Sequence, residues 1–441
     1  MQHKLLARYP IGNPRRVWRQ DNFVLSISNP GPKGLDVDDE VTGQKIRRSV
    51  KTCTEAGFNM LECLWASPYT GEQIVKTAEA LGNRVLFQNL KRFGGYAENH
   101  TYCKTNDLAG VMRDMRPWNC VAGYFMWDEP TPDEELQTVR DMIDLCEREQ
   151  PEKLAFTAAN PSYKWCFRWE EGKFIPYIDR FSDIIDPPVL SFDYYPIGRN
   201  EYSVEGQLDG SHLWYDLEVV RRAAAKRGMP MWHYYQGQKY HFHEYAYDFT
   251  AAMARMLANA GILHGVKGLH AYTEFEGPVN PEDGGPGIFF EQTKQYNTEI
   301  RTLNNTLMAL TCDRVIHDST LLADCPVMAE HRTPMGESEL LTGELSPRIS
   351  ISEHSDAYGN RYLMVLNRDF EKSAHIELKL KNPSHVYKVS REDGEQKLVY
   401  YCAKRLQGYF APGMLEIYRI QPGEEEPFTV EDYLEKSIQA R

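Results

Sequence analysis

The sequence contains no apolar stretch approaching the roughly 20 residues that a membrane-crossing helix requires, so no span is expected. It contains no CxxC pair either. Its nine cysteines (53, 63, 103, 120, 146, 166, 312, 325 and 402) are scattered singly, which argues against structural zinc of the paired-cysteine type. Their odd number excludes a fully paired disulfide framework, and those beside apolar runs, such as Cys63 and Cys120, read as small core residues. Basic residues are outnumbered, 50 Lys and Arg against 63 Asp and Glu. A net charge of −13 argues against a nucleic-acid partner, because binding phosphate needs a basic surface. The local runs "KIRRSVK" and "RRAAAKR" read as solvated helix faces. No low-complexity segment occurs. The opening "MQHKLLARYP" has too short an apolar run for a signal peptide. A soluble chain is expected with its compartment open; a periplasmic or secreted one would need its leader already removed.

What the sequence has in quantity is aromatic residues, 12% of the chain with 26 Tyr and 8 Trp. Flat amphipathic rings fill cores, and they also stack on ligands while hydrogen bonding at their edges. Apolar content of 42% and charged content of 26% are those of an ordinary globular chain. Its 441 residues suffice for one large domain and a smaller one.

Short apolar or β-branched runs recur at 22–28, 59–65, 84–90, 121–127, 153–159, 189–195, 229–235 and 266–272, with helically spaced stretches between them. Gly57, Gly82, Gly228 and Gly261 stand where helices would end on a C-cap glycine. Thr131 stands at an N-cap position ahead of the acids Asp133, Glu134 and Glu135. Continuously apolar strands that alternate with helices imply a parallel sheet covered on its faces. Eight such units ending near residue 312 give a (β/α)8 TIM barrel, the α/β fold expected for residues 1–312. An open doubly wound sheet would carry a glycine-rich phosphate turn after its first strand, and "SNPGPKG" is not one. From 313 to 422 the texture changes to period-two runs such as "RISISEHSD" and "NRYLMVLNRD", separated by turn residues. That is the pattern of a smaller antiparallel β-sandwich. Residues 423–441 are an acidic tail expected to hold a short surface helix.

In (β/α)8 enzymes the active site is built at the C-terminal ends of the strands. One stretch stands out there. "GYFMWDEP" runs from large apolar residues straight into Asp128 and Glu129 at the end of the fourth strand. A buried strand has no reason to end in two carboxylates, whose desolvation is costly. The other strand ends offer Ser28 and Asn29; Glu62 and Trp65; Gln88, Asn89 and Phe93; Asn160 and Tyr163; Asp193, Tyr194 and Tyr195; Trp232, His233, Tyr234, Tyr235 and Gln236; and Tyr272, Glu274 and Glu276. This set holds several carboxylates, many aromatics, several amides, one histidine and no lysine. A Schiff-base aldolase needs a buried lysine, a phosphate-binding barrel needs glycine-rich turns after strands seven and eight, and a metal hydrolase needs clustered His and carboxylate ligands. None of these is evident, and His241 with His243 forms the only His-x-His pair, without a third ligand. Rings that stack on sugar faces, with acids and amides for hydroxyls, suit carbohydrate. Glycoside hydrolysis adds the need for two carboxyl groups.

"WDEP" resembles the strand-four motif of the retaining (β/α)8 glycosidases, where Asn-Glu-Pro supplies the acid/base glutamate, and the barrel-then-sandwich order resembles theirs too. The resemblance implies Glu129 as general acid/base, with Asp128 standing where a sugar-binding Asn would be. It departs from the family at strand seven, where those enzymes carry the nucleophile and this chain has Gln236. Glu274 is then the first choice for the second carboxylate and Asp193 the next. Asn29, Glu62, Asn89, Tyr194, His233, Tyr235 and Gln236 are expected to bind hydroxyls or tune the acid, and some of Trp65, Trp127, Trp232 and Tyr272 to wall the pocket. The expected activity is hydrolysis of O-glycosidic bonds in an oligo- or polysaccharide, without metal or organic cofactor. An adjacent Asp-Glu pair also resembles the N-acetylhexosaminidases that use the substrate's 2-acetamido group as nucleophile, so Asp128 and Glu129 acting as a pair is one alternative. A barrel that binds glycans without cleaving them is another. No feature names the sugar, its linkage or the oligomeric state.

Overall fold

A computed structural model of the chain describes residues 11–28, 39–63, 68–88, 105–162, 171–197, 211–238, 249–273 and 277–423. Strands and helices alternate: β1 (Val24–Ser28), α1 (Glu40–Glu55), β2 (Met60–Cys63), α2 (Pro68–Leu81), β3 (Val85–Gln88), α3 (Thr105–Met115), β4 (Val121–Asp128) and α4 (Asp133–Glu149). The order continues through β5 (Leu154–Ala158), α5 (Glu171–Arg180), β6 (Leu190–Tyr194), α6 (Ser211–Arg227), β7 (Met231–Gln236), α7 (Ala251–Leu263), β8 (Gly268–Tyr272), α8 (Phe290–Thr302) and α9 (Asn304–Ala309). The parallel ladder runs β5-β4-β3-β2-β1-β8-β7-β6. A bridge between Ala159 and Phe192, with the Ala159 N–H on the Ser191 carbonyl at 2.8 Å, joins β5 to β6 and closes the sheet. The fold is a (β/α)8 TIM barrel, as the strand spacing predicts.

Two expected helix caps fall elsewhere. Gly57, Gly82 and Gly228 do adopt positive φ after their helices, but Gly261 lies inside α7 and the cap passes to Gly265, at φ +82°. Gly261 is there for packing, since a Cβ would lie 3.0 Å from the His233 ring. Thr131 does not cap α4 either. Pro132 occupies that position, while the Thr131 hydroxyl turns back to the Glu129 carbonyl and its N–H bonds the Glu135 carboxylate at 2.9 Å.

Period two divides the strands, β4 excepted, between the barrel interior and the surrounding helices. The lower interior is apolar: Val24, Met60, Leu86, Phe125, Phe156 and Trp232 pack there. Trp232 plugs the bottom, donating its indole N–H to Gln20 at 2.9 Å and meeting Trp18 edge-on. Gly268 makes room for it, because a Cβ at that position would lie 2.7 Å from the ring. Above the plug the inward positions turn polar. Ser26, His270, Tyr234 and Asp193 are consecutive register partners across β1, β8, β7 and β6.

The second domain is antiparallel and corresponds to the expected β-sandwich. It comprises β9 (Thr311–His317), β10 (Leu341–Thr342), β11 (Ile349–Ser355), β12 (Arg361–Asn367), β13 (Ala374–Val389), β14 (Gln396–Phe410) and β15 (Leu415–Pro422). One face packs Ile316, Ile351, Leu363 and Val365 into a core of its own, and the other sends Val315, Met364 and Leu366 against the barrel's helical layer. Lying between, α7 is buried along most of its length and donates from Asn259 to the Gly413 carbonyl at 2.8 Å. Among the described residues no helix is long and apolar enough to cross a membrane.

Candidate active site

Strand β4 breaks the two-residue period twice. Val85 pairs with Val121 but Leu86 with Gly123; Phe156 pairs with Phe125 but Thr157 with Trp127. Ala122 and Met126 are the extra residues. At the second irregularity Met126 and Trp127 both turn outward into the helix-facing cluster. Asp128 then returns inward opposite Ala158, a member of the interior cluster. A bulge of this kind re-aims the side chains that follow it. The next residue, Glu129, has φ +54°, a left-handed backbone that residues other than Gly, Asn and Asp seldom adopt. Its N–H bonds the Ala158 carbonyl at 3.1 Å, and its own carbonyl accepts from Asn160 Nδ2 at 2.9 Å and from the Thr131 hydroxyl at 3.2 Å. Asp128 and Glu129 are both half-buried.

Across the interior, Glu62 is fully buried on β2. The Tyr234 hydroxyl donates to its Oε1, and His270 Nδ1 lies 2.7 Å from the same oxygen while the His270 ring stacks on Tyr234 at 4.3 Å. Glu62 Oε2 has no hydrogen-bond partner among the described residues. Burial, then the charges of Glu62, Asp128 and Asp193, push the Tyr234 phenol well above its usual range, so it stays protonated and acts as a donor. Glu62 thus bonds this phenol directly and Asp193 stands beside it in register, while Asp128 faces the same interior from β4.

Other expected residues are placed less uniformly. Tyr272 stacks on Tyr195 at 4.6 Å, and both rings are half-buried at the rim. Gln236 spends its amide on backbone, accepting from Ile197 N–H at 2.9 Å and donating to the Ile197 carbonyl at 2.6 Å, which pins the chain leaving β6. Trp232 sits below the mouth as the plug. Trp127, Tyr194, His233 and Tyr235, expected at the pocket, instead face the helices. The reason is geometric: with Trp232 and Tyr234 inward, alternation sends His233 and Tyr235 outward, Tyr194 alternates outward beside Asp193, and the bulge turns Trp127. The His233 ring stacks on Phe192 at 5.0 Å, and burial, reinforced by His264 and His270, lowers its pKa to about 3. Asn29, Trp65, Asn89 and Glu274 lie outside the described residues, as do Phe93, Tyr163, His241, His243 and Glu276. His270 escaped the strand-end reading because it sits mid-strand; the alternation within "GLHAY" was its only signal. Among the described residues no three His, Cys, Asp or Glu side chains gather so as to hold a metal ion.

No protein-family model and no curated protein matches the chain. The class its architecture defines, a (β/α)8 barrel with a trailing β domain, is shared with solved structures of low identity. A candidate alpha-galactosidase/melibiase from Bacteroides fragilis NCTC 9343 is 11% identical, with a TM-score of 0.50 over 91% of this chain and 79% of that one. An Anoxybacillus alpha-amylase is 10% identical, with a TM-score of 0.49 over 92% and 99%. A family 5 glycoside hydrolase from Bacteroides vulgatus ATCC 8482 is 11% identical, with a TM-score of 0.46 over 97% of each chain. The likeness is one of fold, and chemistry has to be argued from the residues.

Proposed function

We propose that the protein is a glycoside hydrolase acting at the C-terminal mouth of its barrel, with Glu129 as general acid/base. The observation that carries this reading is that three carboxyl groups face the upper barrel interior, Glu62 bonded to Tyr234, Asp193 in register beside it and Asp128 turned inward by the bulge, with Glu129 following Asp128 in the chain. Cleaving a glycosidic bond takes one carboxyl group that protonates the leaving oxygen and a second that attacks the anomeric carbon or activates water. Asp193 supplies the second among the described residues; Glu274 is the other candidate. Tyr234, held protonated, fixes Glu62 through one oxygen and leaves the other to accept a ligand hydroxyl. The Tyr195–Tyr272 stack offers an apolar face at the rim for a sugar ring. The substrate is an oligo- or polysaccharide, and the chemistry requires no metal or organic cofactor.

A second reading draws on the bulge. By turning Asp128 inward directly before Glu129, it places an acid where it could orient a 2-acetamido group as internal nucleophile. Turnover of a panel of aryl glycosides, including 2-acetamido sugars, separates the two. Glu129→Gln is expected to lose about 10²–10⁴-fold on any substrate the wild type cleaves. Loss in Asp193→Asn or Glu274→Gln identifies the second carboxylate. Activity confined to 2-acetamido sugars and abolished in Asp128→Asn transfers the mechanism to the Asp-Glu pair, and an unaffected Glu129→Gln overturns both.

A further inference from the structure

The geometry assigns Asn160 and Tyr177 as positioning residues that hold Glu129 in its left-handed backbone and so aim its carboxyl group, an inference that rests on Glu129 being the acid/base. Of the four described non-glycine residues with positive φ (Glu129, Asp186, Arg348 and Cys402), only Glu129 closes a barrel strand at the mouth. Such a conformation persists only where the surroundings over-determine it. Here three successive residues are gripped by Asn160, just past the end of β5, and by Tyr177 of α5. Asn160 Nδ2 donates to the Glu129 carbonyl at 2.9 Å and to the Thr131 hydroxyl at 2.8 Å, and the Tyr177 hydroxyl donates to the Pro130 carbonyl at 2.9 Å. The two clamps are one network, because the Tyr177 oxygen also accepts the Asn160 backbone N–H at 3.0 Å. Asn160 and Tyr177 are 4% and 2% exposed, so water does not compete for these bonds.

The consequence for function comes from covalent geometry. The direction of the Cα–Cβ bond follows φ, so relaxing Glu129 toward ordinary negative φ would swing its side chain away from where the turn now points it. A glycine would occupy this turn without strain; the chain keeps glutamate there and surrounds it with hydrogen bonds instead.

The test has two arms, each using the full chain. On an aryl glycoside that the wild type cleaves, Asn160→Ala is expected to lower kcat about 10–100-fold with KM little changed, the mark of a misaimed group. Tyr177→Phe, which deletes a single hydroxyl, is expected to do the same to a smaller extent and serves if Asn160→Ala fails to fold. The second arm reads strain without activity. Glu129→Gly is expected to raise Tm by on the order of 2 °C in the wild-type background, and by clearly less in the Asn160→Ala or Tyr177→Phe background, where the turn is already free to relax. Equal gains in all backgrounds, or an unchanged kcat in both clamp variants, overturn the inference. Absence of wild-type turnover strikes the acid/base assignment instead, and the Tm comparison still decides whether the clamp exists.

Discussion

Tyr234 donates its phenolic hydrogen to Glu62 through the interior of the barrel, tying together β7 and β2, which stand three places apart in the ladder. The phenol remains a donor because burial and the neighbouring carboxyl groups suppress its ionisation.

Tyr234→Phe removes this bond and keeps the ring on which His270 stacks. It is expected to cost about 1.5–3 kcal/mol, the range for hydrogen bonds to charged groups, read as a shift in the urea midpoint. A variant as stable as the wild type would show that the bond carries no net energy.

The plug at the bottom of the barrel predicts an intolerant glycine. Gly268→Ala would set a methyl group 2.7 Å from a Trp232 ring that Gln20 and Trp18 hold in place. A loss of about 1–3 kcal/mol is expected from overpacking, measured by thermal unfolding, and Trp232→Leu in the same chain should recover part of it.

Substitution of two tyrosines of the barrel should separate the rim from the helix side. Tyr272→Ala removes half of the rim stack and is expected to raise KM for any glycoside cleaved, whereas Tyr235→Phe, on the helix side, is expected to leave KM unchanged. Steady-state kinetics on one substrate checks both.

Stability should fall on mild acidification. Burial lowers His233 and His354 to about 3 and His264 to about 4. Unfolded histidine titrates near 6.5, so between about pH 6.5 and 4 the unfolded chain binds protons that the fold refuses, costing up to about 1.4 kcal/mol per histidine per pH unit. Asp216 opposes this: burial raises it to about 8, so its contribution is present at acid pH and is lost as pH rises from about 4 toward 8. Burial also lowers His212 to about 4 and His317 well below its usual range, while Asp313 is raised and acts with Asp216, so five histidines against two carboxyl groups leave a net fall. Tm measured at pH 7 and pH 5 should be lower at pH 5.

The architecture was largely legible from the chain. Eight apolar runs with helices between them need a parallel sheet covered on its faces, and eight close into a barrel. The caps at Gly57, Gly82 and Gly228 follow from glycine's tolerance of positive φ. Gly261 misled because a glycine near a helix end can equally serve close packing, here against His233. Strand ends located Asp128, Glu129 and Asp193, but they could not say which way a side chain faces. Strict alternation would have sorted His233 and Tyr235 from Trp232 and Tyr234. It could not have sorted Trp127 from Asp128, because the register slips at Met126. Of the polar interior row, Ser26 and His270 were missed for a related reason: they sit mid-strand, and only register brings them level with Tyr234 and Asp193.

Met126 therefore works like a spacer in a reading frame. Its presence shifts everything after it by one position, so that Asp128 looks into the barrel and Trp127 looks out. Deleting it would exchange those two, placing an indole over the tyrosine and an acid among the helices, although the motif "WDEP" would survive letter for letter. In this strand the number of residues before the motif decides which of its side chains faces the barrel interior.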